Sequence, residues 1–134
     1  MATRRRRKSH PVILVVEDEP TILALAVSII EDELGWKTLS AATAGEALAV
    51  LLTKKPVAVL FTDIALPDRH PALDGFALAR CAVEQRADLR VLYTSGRDQT
   101  DGMRALAVER ADFLPKPYTR EQLVEVLQKL EITG

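Results

Sequence analysis

Several common signatures of function are missing from this sequence. It has one cysteine, Cys81, which excludes an internal disulfide framework. With no secretion signal, the cytosol is the expected compartment. Cys81 lies in the apolar-rich run Phe76-Ala77-Leu78-Ala79-Arg80-Cys81-Ala82-Val83, where it reads as packing. Neither of the two histidines has partners at metal-ligand spacing, which argues against a structural zinc site. No apolar run approaches the ~18 residues needed to span a bilayer, so membrane insertion is not expected. The first apolar run, Pro11 to Val16, stops at Glu17-Asp18-Glu19 with no cleavage site and is not a signal peptide. No glycines follow it either. That excludes a phosphate-cradling loop where a nucleotide-binding α/β protein would place one.

What remains is 134 residues, 48% of them hydrophobic, enough for one domain with its own core. The net charge of −1 hides an uneven distribution. Arg4-Arg5-Arg6-Arg7-Lys8 holds five of the 18 basic residues, leaving 13 against 19 acidic ones, a balance of −6. A basic run without aromatics or a following amphipathic helix reads as a solvated tail, so residues 1–10 are expected to be disordered. A nucleic-acid partner is not expected.

From residue 11 onward, apolar runs alternate with helical periodicity. Val12 to Val16 is a β-branched run ending on Glu17-Asp18-Glu19. Pro20 opens a helix carrying Ile22, Leu25, Ala26, Ile29 and Ile30, with Gly35 as its left-handed stop. Trp36 to Ala42 is a weaker strand suited to a sheet edge. Thr43-Ala44-Gly45-Glu46 matches a capping box opening a helix to Lys55, and Pro56 closes it. Val57 to Asp63 is apolar enough to be buried on both faces. Gly75 to Arg86 is the third helix, Leu89 to Thr94 the fourth strand and Asp98 to Glu109 the fourth helix, weakened by Gly102 by roughly 1 kcal/mol. Ala111 to Pro115 is a short fifth strand. Thr119-Arg120-Glu121-Gln122 is a second capping box, with Leu123, Val126, Leu127 and Leu130 on one face of the last helix.

The predicted fold is a doubly wound α/β domain, (βα)₅, with a parallel sheet covered by helices on both faces. Its strands end on polar residues: Glu17 and Asp18, Asp63, Thr94, and Lys116. Sites in open α/β sheets form at the carboxyl ends of strands, where strand order reverses. In the order 2-1-3-4-5, strands one and three are neighbours there, and Asp18 meets Asp63. Taken singly, each residue is an ordinary loop or surface residue. Together they predict an acidic pocket in which a hard divalent cation such as Mg²⁺ relieves the repulsion. Lys116 and Thr94 would supply a positive charge and a hydrogen-bond donor for a phosphoryl group. A carboxylate beneath it can serve as nucleophile, giving an acyl phosphate.

Five segments in order carry a resemblance: Val16-Glu17-Asp18-Glu19, the strand into Asp63 with Leu66-Pro67, Asp74-Gly75, Thr94-Ser95-Gly96 and Lys116-Pro117-Tyr118. Residues 11–132 resemble the receiver domain of two-component response regulators, of the chemotaxis-receiver-like, stand-alone type. The resemblance implies a flavodoxin-like fold, phosphorylated by a histidine kinase or phosphotransfer protein. Asp63 would be the phospho-acceptor, Asp18 a direct Mg²⁺ ligand and Glu17 a ligand chiefly through water, with the backbone carbonyl of Ala65 completing the protein's share. Thr94 would bond the phosphoryl oxygen and Lys116 pair with it. Lys116-Pro117 would be cis. Phe113 falls at the aromatic switch position and would rotate inward with Thr94, remodelling the face of helix four, strand five and helix five.

Where the chain departs from the family, it has Glu-Asp instead of an Asp pair, and a lengthened stretch between Pro67 and Asp74 containing Arg69, His70 and Pro71. It also has small residues at Ala65 and Gly96, positions that tune self-dephosphorylation, and no hydroxyl at Phe113. The expected protein is a stand-alone phosphoacceptor switch acting through a partner or relay, not a turnover enzyme. Helices one, four and five each offer a face for a homodimer. A pseudo-receiver, binding partners without phosphorylation, is the alternative. A receiver cut from a hybrid kinase is a variant of the leading reading. A phosphohydrolase resembling haloacid dehalogenases would need Asp-x-Asp after strand one, which is absent.

Overall fold

The computed structural model of the chain describes residues 10–66, 73–97, 100–130 and 132. The expected basic tail, except His10, and the Arg69-His70-Pro71 stretch lie outside the described residues. Strands and helices alternate as β1 (Val12–Val16), α1 (Pro20–Ile29), β2 (Lys37–Ala41), α2 (Ala44–Leu51), β3 (Val59–Asp63), α3 (Gly75–Gln85), β4 (Arg90–Ser95), α4 (Asp101–Ala105), β5 (Asp112–Pro115) and α5 (Arg120–Lys129). All pairings are parallel, in the order β2-β1-β3-β4-β5. The alternation predicts the parallel sheet, and this order is the flavodoxin-like topology that the resemblance implies, with β2 at one edge. Among the described residues, no helix is long and apolar enough to cross a membrane.

The alternation of side chains along each strand divides the core into two layers. Ile13 and Val15 of β1, Val59 and Phe61 of β3 and Leu92 of β4 pack with Ala26 and Ile29 of α1 and Leu123 and Leu127 of α5. Leu14, Val16, Leu60, Val91 and Tyr93 face the other way, onto Ala47 and Leu51 of α2 and Phe76, Leu78 and Ala79 of α3. All five residues of β3 are buried, and so are all six of β4. Burial on both faces is why these runs lack a polar alternation.

Beyond shifts of one residue at the ends of β2, α3, β4 and β5, four features differ from the pattern-based expectation. First, α1 does not run regularly to Gly35 but loosens into a π-helical turn at Ile30–Leu34. Gly35, at φ 69°, then closes it. Second, α2 stops at Leu51, four residues short of Lys55. Arg86 donates to Leu51 O at 3.2 Å and Thr53 O at 2.9 Å, satisfying carbonyls that another helical turn would have used. Correspondingly β3 starts at Val59. Third, α4 covers only Asp101–Ala105. Thr100 is its N-cap, and the Val108 N–H is taken by the Tyr93 hydroxyl at 3.1 Å. Fourth, the capping box at α2 is only half formed. Thr43 Oγ1 accepts from Glu46 N, but the Glu46 carboxylate accepts from Ala42 N at 2.8 Å. At α5 the box of Thr119 and Gln122 is complete.

Candidate functional site

The parallel register delivers the polar strand ends to one place. β1 ends at Val16 beside Thr62, and Asp63 pairs with Thr94 across β3 and β4. The next residue after β1, Glu17, is 4% exposed, and Asp63 is 6% exposed. Two buried carboxylates at a sheet end need compensation. It comes from Lys116, whose Nζ lies 2.8 Å from Glu17 Oε1 and 2.7 Å from Asp63 Oδ2. The Lys116–Pro117 bond is cis. Lys116 N donates to Ser95 O at 2.9 Å, tying this residue to the end of β4.

Backbone groups complete the carboxylate shell. Glu19 N donates to Glu17 Oε2 and Ala65 N to Asp63 Oδ1, each at 3.1 Å. Burial raises the Glu17 pKa above the usual carboxylate range, against the opposing bonds from Lys116 and the Glu19 amide. Burial also works against the charge on Lys116, but its bonds to Asp63 and Glu17 prevail and raise its pKa. The two shifts fit one picture: a cation held between Glu17 and Asp63, with burial making Glu17 a reluctant anion.

Asp18 is exposed, and one oxygen each from Glu17, Asp18 and Asp63 can lie within 4.8 Å of the others. Three hard oxygen donors at that spacing, partly open to solvent, fit a hard divalent cation that keeps several waters. Thr94 is 3% exposed, and its Oγ1 has no hydrogen-bond partner among the described residues. An unpaired buried hydroxyl costs roughly 1–3 kcal/mol. Its position next to Asp63 in the register marks where an incoming acceptor oxygen would be welcome.

Phe113 is not in the carboxylate pocket. It pairs with Tyr93 across β4 and β5, its ring centroid 5.1 Å from that of Tyr93, with the Arg104 guanidinium 5.6 Å from its own centroid. Tyr93 in turn packs on Phe76 at 5.0 Å. Three residues take roles that the motifs did not assign them. Thr62 Oγ1 donates to Asp63 O at 2.9 Å and braces the strand end. Tyr118 packs on Phe61 at 6.0 Å, and burial, with Glu17 nearby, pushes its phenol up to about 12. Gly75 approaches so closely that a Cβ there would clash with the backbone carbonyl of Asp63. Only glycine lets α3 start against the backbone of the acidic residue.

A doubly wound domain with carboxylates, a lysine and a hydroxyl unpaired among the described residues at its switch point has the charges and donors to hold a phosphoryl group without a glycine loop. The response regulator receiver domain family matches residues 13–128, and this chain belongs to that family. It is a receiver domain of two-component signalling. It is 33% identical over 119 residues to the nitrogen assimilation regulatory protein NtrX of Azorhizobium caulinodans, covering 87% of this chain and 25% of that protein. It is 32% identical over 120 residues to the positive alginate biosynthesis regulatory protein of Pseudomonas aeruginosa, covering 87% and 46%. Among solved structures, a CheY-like receiver domain protein from Methanospirillum hungatei superposes with a TM-score of 0.77 at 27% identity, covering 90% of this chain and 93% of that one. NtrX from Brucella abortus does so with a TM-score of 0.76 at 32% identity, covering 90% and 27%. The chain spans from a quarter to about half the length of the curated relatives it matches.

Proposed function

We propose that residues 11–132 form a phosphoacceptor switch in which Asp63 takes a phosphoryl group from a phosphohistidine of a kinase or phosphotransfer protein. An Asp63 carboxylate oxygen attacks phosphorus, and the P–N bond to the histidine breaks. Its electron pair returns to the imidazole, leaving an acyl phosphate on Asp63. Glu17, Asp18 and Asp63, with the Ala65 backbone carbonyl, would hold Mg²⁺, which when bound neutralises charge on the phosphoryl oxygens.

The chain's own groups divide the remaining work. Lys116 already contacts Asp63 at 2.7 Å and would follow the negative charge onto the phosphoryl group. The Ala65 N–H, at 3.1 Å from Asp63 Oδ1, orients the acceptor. Thr94 would give its unpaired hydroxyl to a phosphoryl oxygen. The strand residue beside it, Tyr93, stacks on Phe113, so a shift of β4 would be felt by that ring and by Arg104 above it. Because Phe113 lacks a hydroxyl, this response is steric. The output is a changed surface near α4 and β5 read by a partner protein, without turnover of an external substrate.

The single observation that carries this reading is the Lys116 ammonium bridging Glu17 and Asp63 within 2.8 Å of each, beside a buried hydroxyl that lacks a partner. Nothing in that arrangement favours a module that works without phosphorylation. The test is incubation of the purified chain with acetyl phosphate, with and without Mg²⁺, read by intact mass. The expected result is a Mg²⁺-dependent gain of one phosphoryl group, lost in Asp63→Asn. Phosphate on another residue, or a gain that persists in Asp63→Asn, would refute the assignment.

A further inference from the structure

Away from the acidic pocket, a cavity of ≈ 690 Å³ opens between α3, the start of β4 and the segment that follows α4. That volume falls within the ~300–1,000 Å³ typical of binding sites. It lies near the amino end of β4, at the opposite end of the strand from Thr94. Its wall is apolar, formed by Val83, Leu89, Leu106 and Val108, and Leu106 leaves 50% of its surface exposed.

The charges on this cavity run against those of the chain as a whole. Arg80, Arg90 and Arg110 line it against Glu109, in a chain of net charge −1. Arg90 is engaged, with Nη2 3.0 Å from Arg110 O and 3.6 Å from Asp112 Oδ2. Arg80 and Arg110 are exposed and have no carboxylate within ion-pair distance among the described residues. The Arg80 side chain makes one long bond, 3.4 Å, to Leu106 O. Arg110 is held at φ 62°, a left-handed position that fixes where its side chain leaves the backbone. Guanidinium groups beside an apolar wall suit carboxylates carried on an apolar body.

We propose that this groove docks an acidic amphipathic peptide segment of a partner protein, with leucine-like side chains against Leu106 and Val83 and carboxylates on Arg80 and Arg110. The cavity is partly open to solvent and Leu106 is half exposed, which suits a chain segment better than an enclosed small anion. The inference does not depend on phosphorylation of Asp63. It has a built-in reporter, since the Val108 N–H bonds the buried Tyr93 hydroxyl at 3.1 Å.

The experiment titrates the ¹⁵N-labelled chain with a short glutamate–leucine peptide of helical periodicity and, separately, with its lysine–leucine counterpart and with acetate. The glutamate peptide should shift the amides of Leu106 to Arg110, Val108 included, and bind more weakly as salt rises. Arg80→Gln combined with Arg110→Asn should weaken it by at least about tenfold. Asparagine tolerates the left-handed backbone at this position. If that double variant misfolds by circular dichroism, Leu106→Ser alone should weaken binding. Shifts centred elsewhere, equal binding of the lysine peptide, the same shifts from acetate alone, or unchanged affinity in the folded variants would each overturn the proposal.

Discussion

The helices before and after β5 are held in opposite ways. α5 spans Arg120–Lys129, starts with a complete capping box and buries Leu123 and Leu127 against β1, β3 and β4. Its first residue, Arg120, also pairs with Glu33 of the π-helical turn at 2.8 Å. α4 has five residues, buries none of them and includes Gly102. It is attached by the half-buried Met103 against the core and by Arg104 over Phe113, and the segment after it by the Val108 amide on Tyr93. Local opening costs least where few apolar groups are buried, so α4 is the element that yields and α5 the one that holds. Both lie close to Lys116 and Thr94 in the chain, so under the proposed switch a change at Asp63 would be taken up by the weaker of the two.

The largest effect should come from breaking the firm side. Leu123→Ala removes a fully buried side chain and should lower unfolding free energy by roughly 2–5 kcal/mol in urea titration. The matching cut on the loose side, Leu106→Ala at a half-exposed residue, should cost less than about 0.5 kcal/mol. Equal losses from the two would erase the contrast. Thr94→Val comes next. It replaces the unpartnered hydroxyl with a methyl of similar shape and should stabilise the unphosphorylated chain by about 1 kcal/mol. The same variant should still label with acetyl phosphate but lose the accompanying amide shifts around Phe113. A destabilised Thr94→Val would mean the hydroxyl has a partner after all.

Much of this contrast was legible in the sequence, and what was not has identifiable causes. Val12–Val16 and Val57–Asp63 announced buried parallel strands, while the order β2-β1-β3-β4-β5 followed from the family resemblance. The Thr119 and Gln122 signature gave the firm start of α5. The shortness of α4 was hidden, because residues 101–109 have helical composition apart from Gly102. What ends the helix is a bond from Val108 to Tyr93, which no local pattern encodes. The early end of α2 is similar, since Arg86 reaches its carbonyls from 35 residues away. At the site, Glu17, Asp63 and Lys116 were readable because each follows an apolar strand. Tyr118, Thr62 and the contact made by Gly75 were not, since their roles exist only once strands and α3 are packed.

Alkaline pH probes both sides at once, with a smaller effect. Burial raises both tyrosines, Tyr118 beside α5 to about 12 and Tyr93 beside α4. A raised phenol pKa means the folded state prefers the neutral form. That stability is complete below pH 10 and is lost as pH climbs toward about 12. Lys116 acts in the same direction. Its raised ammonium contributes fully below its ordinary 10.5, and the contribution fades as pH rises above that value. Stability should therefore fall above pH 10, with phenolate absorbance rising later than for free tyrosine. Tyr118→Phe should remove part of the fall and leave the Tyr93 and Lys116 portions. A phenolate transition at the ordinary value in the folded chain would rule out the buried setting.

The smallest test addresses whether the Arg120–Glu33 pair contributes to the firmness of α5 or only decorates it. Both side chains are nearly half exposed, 46% and 44%. An exposed pair is worth roughly 0.2–1 kcal/mol. Buried Leu123 and Leu127 outweigh it by several-fold, so α5 should stay in place when the pair is removed. A double-mutant cycle of Glu33→Gln and Arg120→Gln should return a coupling in that range, shrinking when salt reduces the Debye length to about 3 Å at 1 M. Hydrogen exchange in α5 should be nearly unchanged in the double variant, while α4 should exchange quickly already in the parent chain. If exchange in α5 instead rose to match α4, its firmness would lie in the ion pair. Packing would then no longer account for the difference between the two helices.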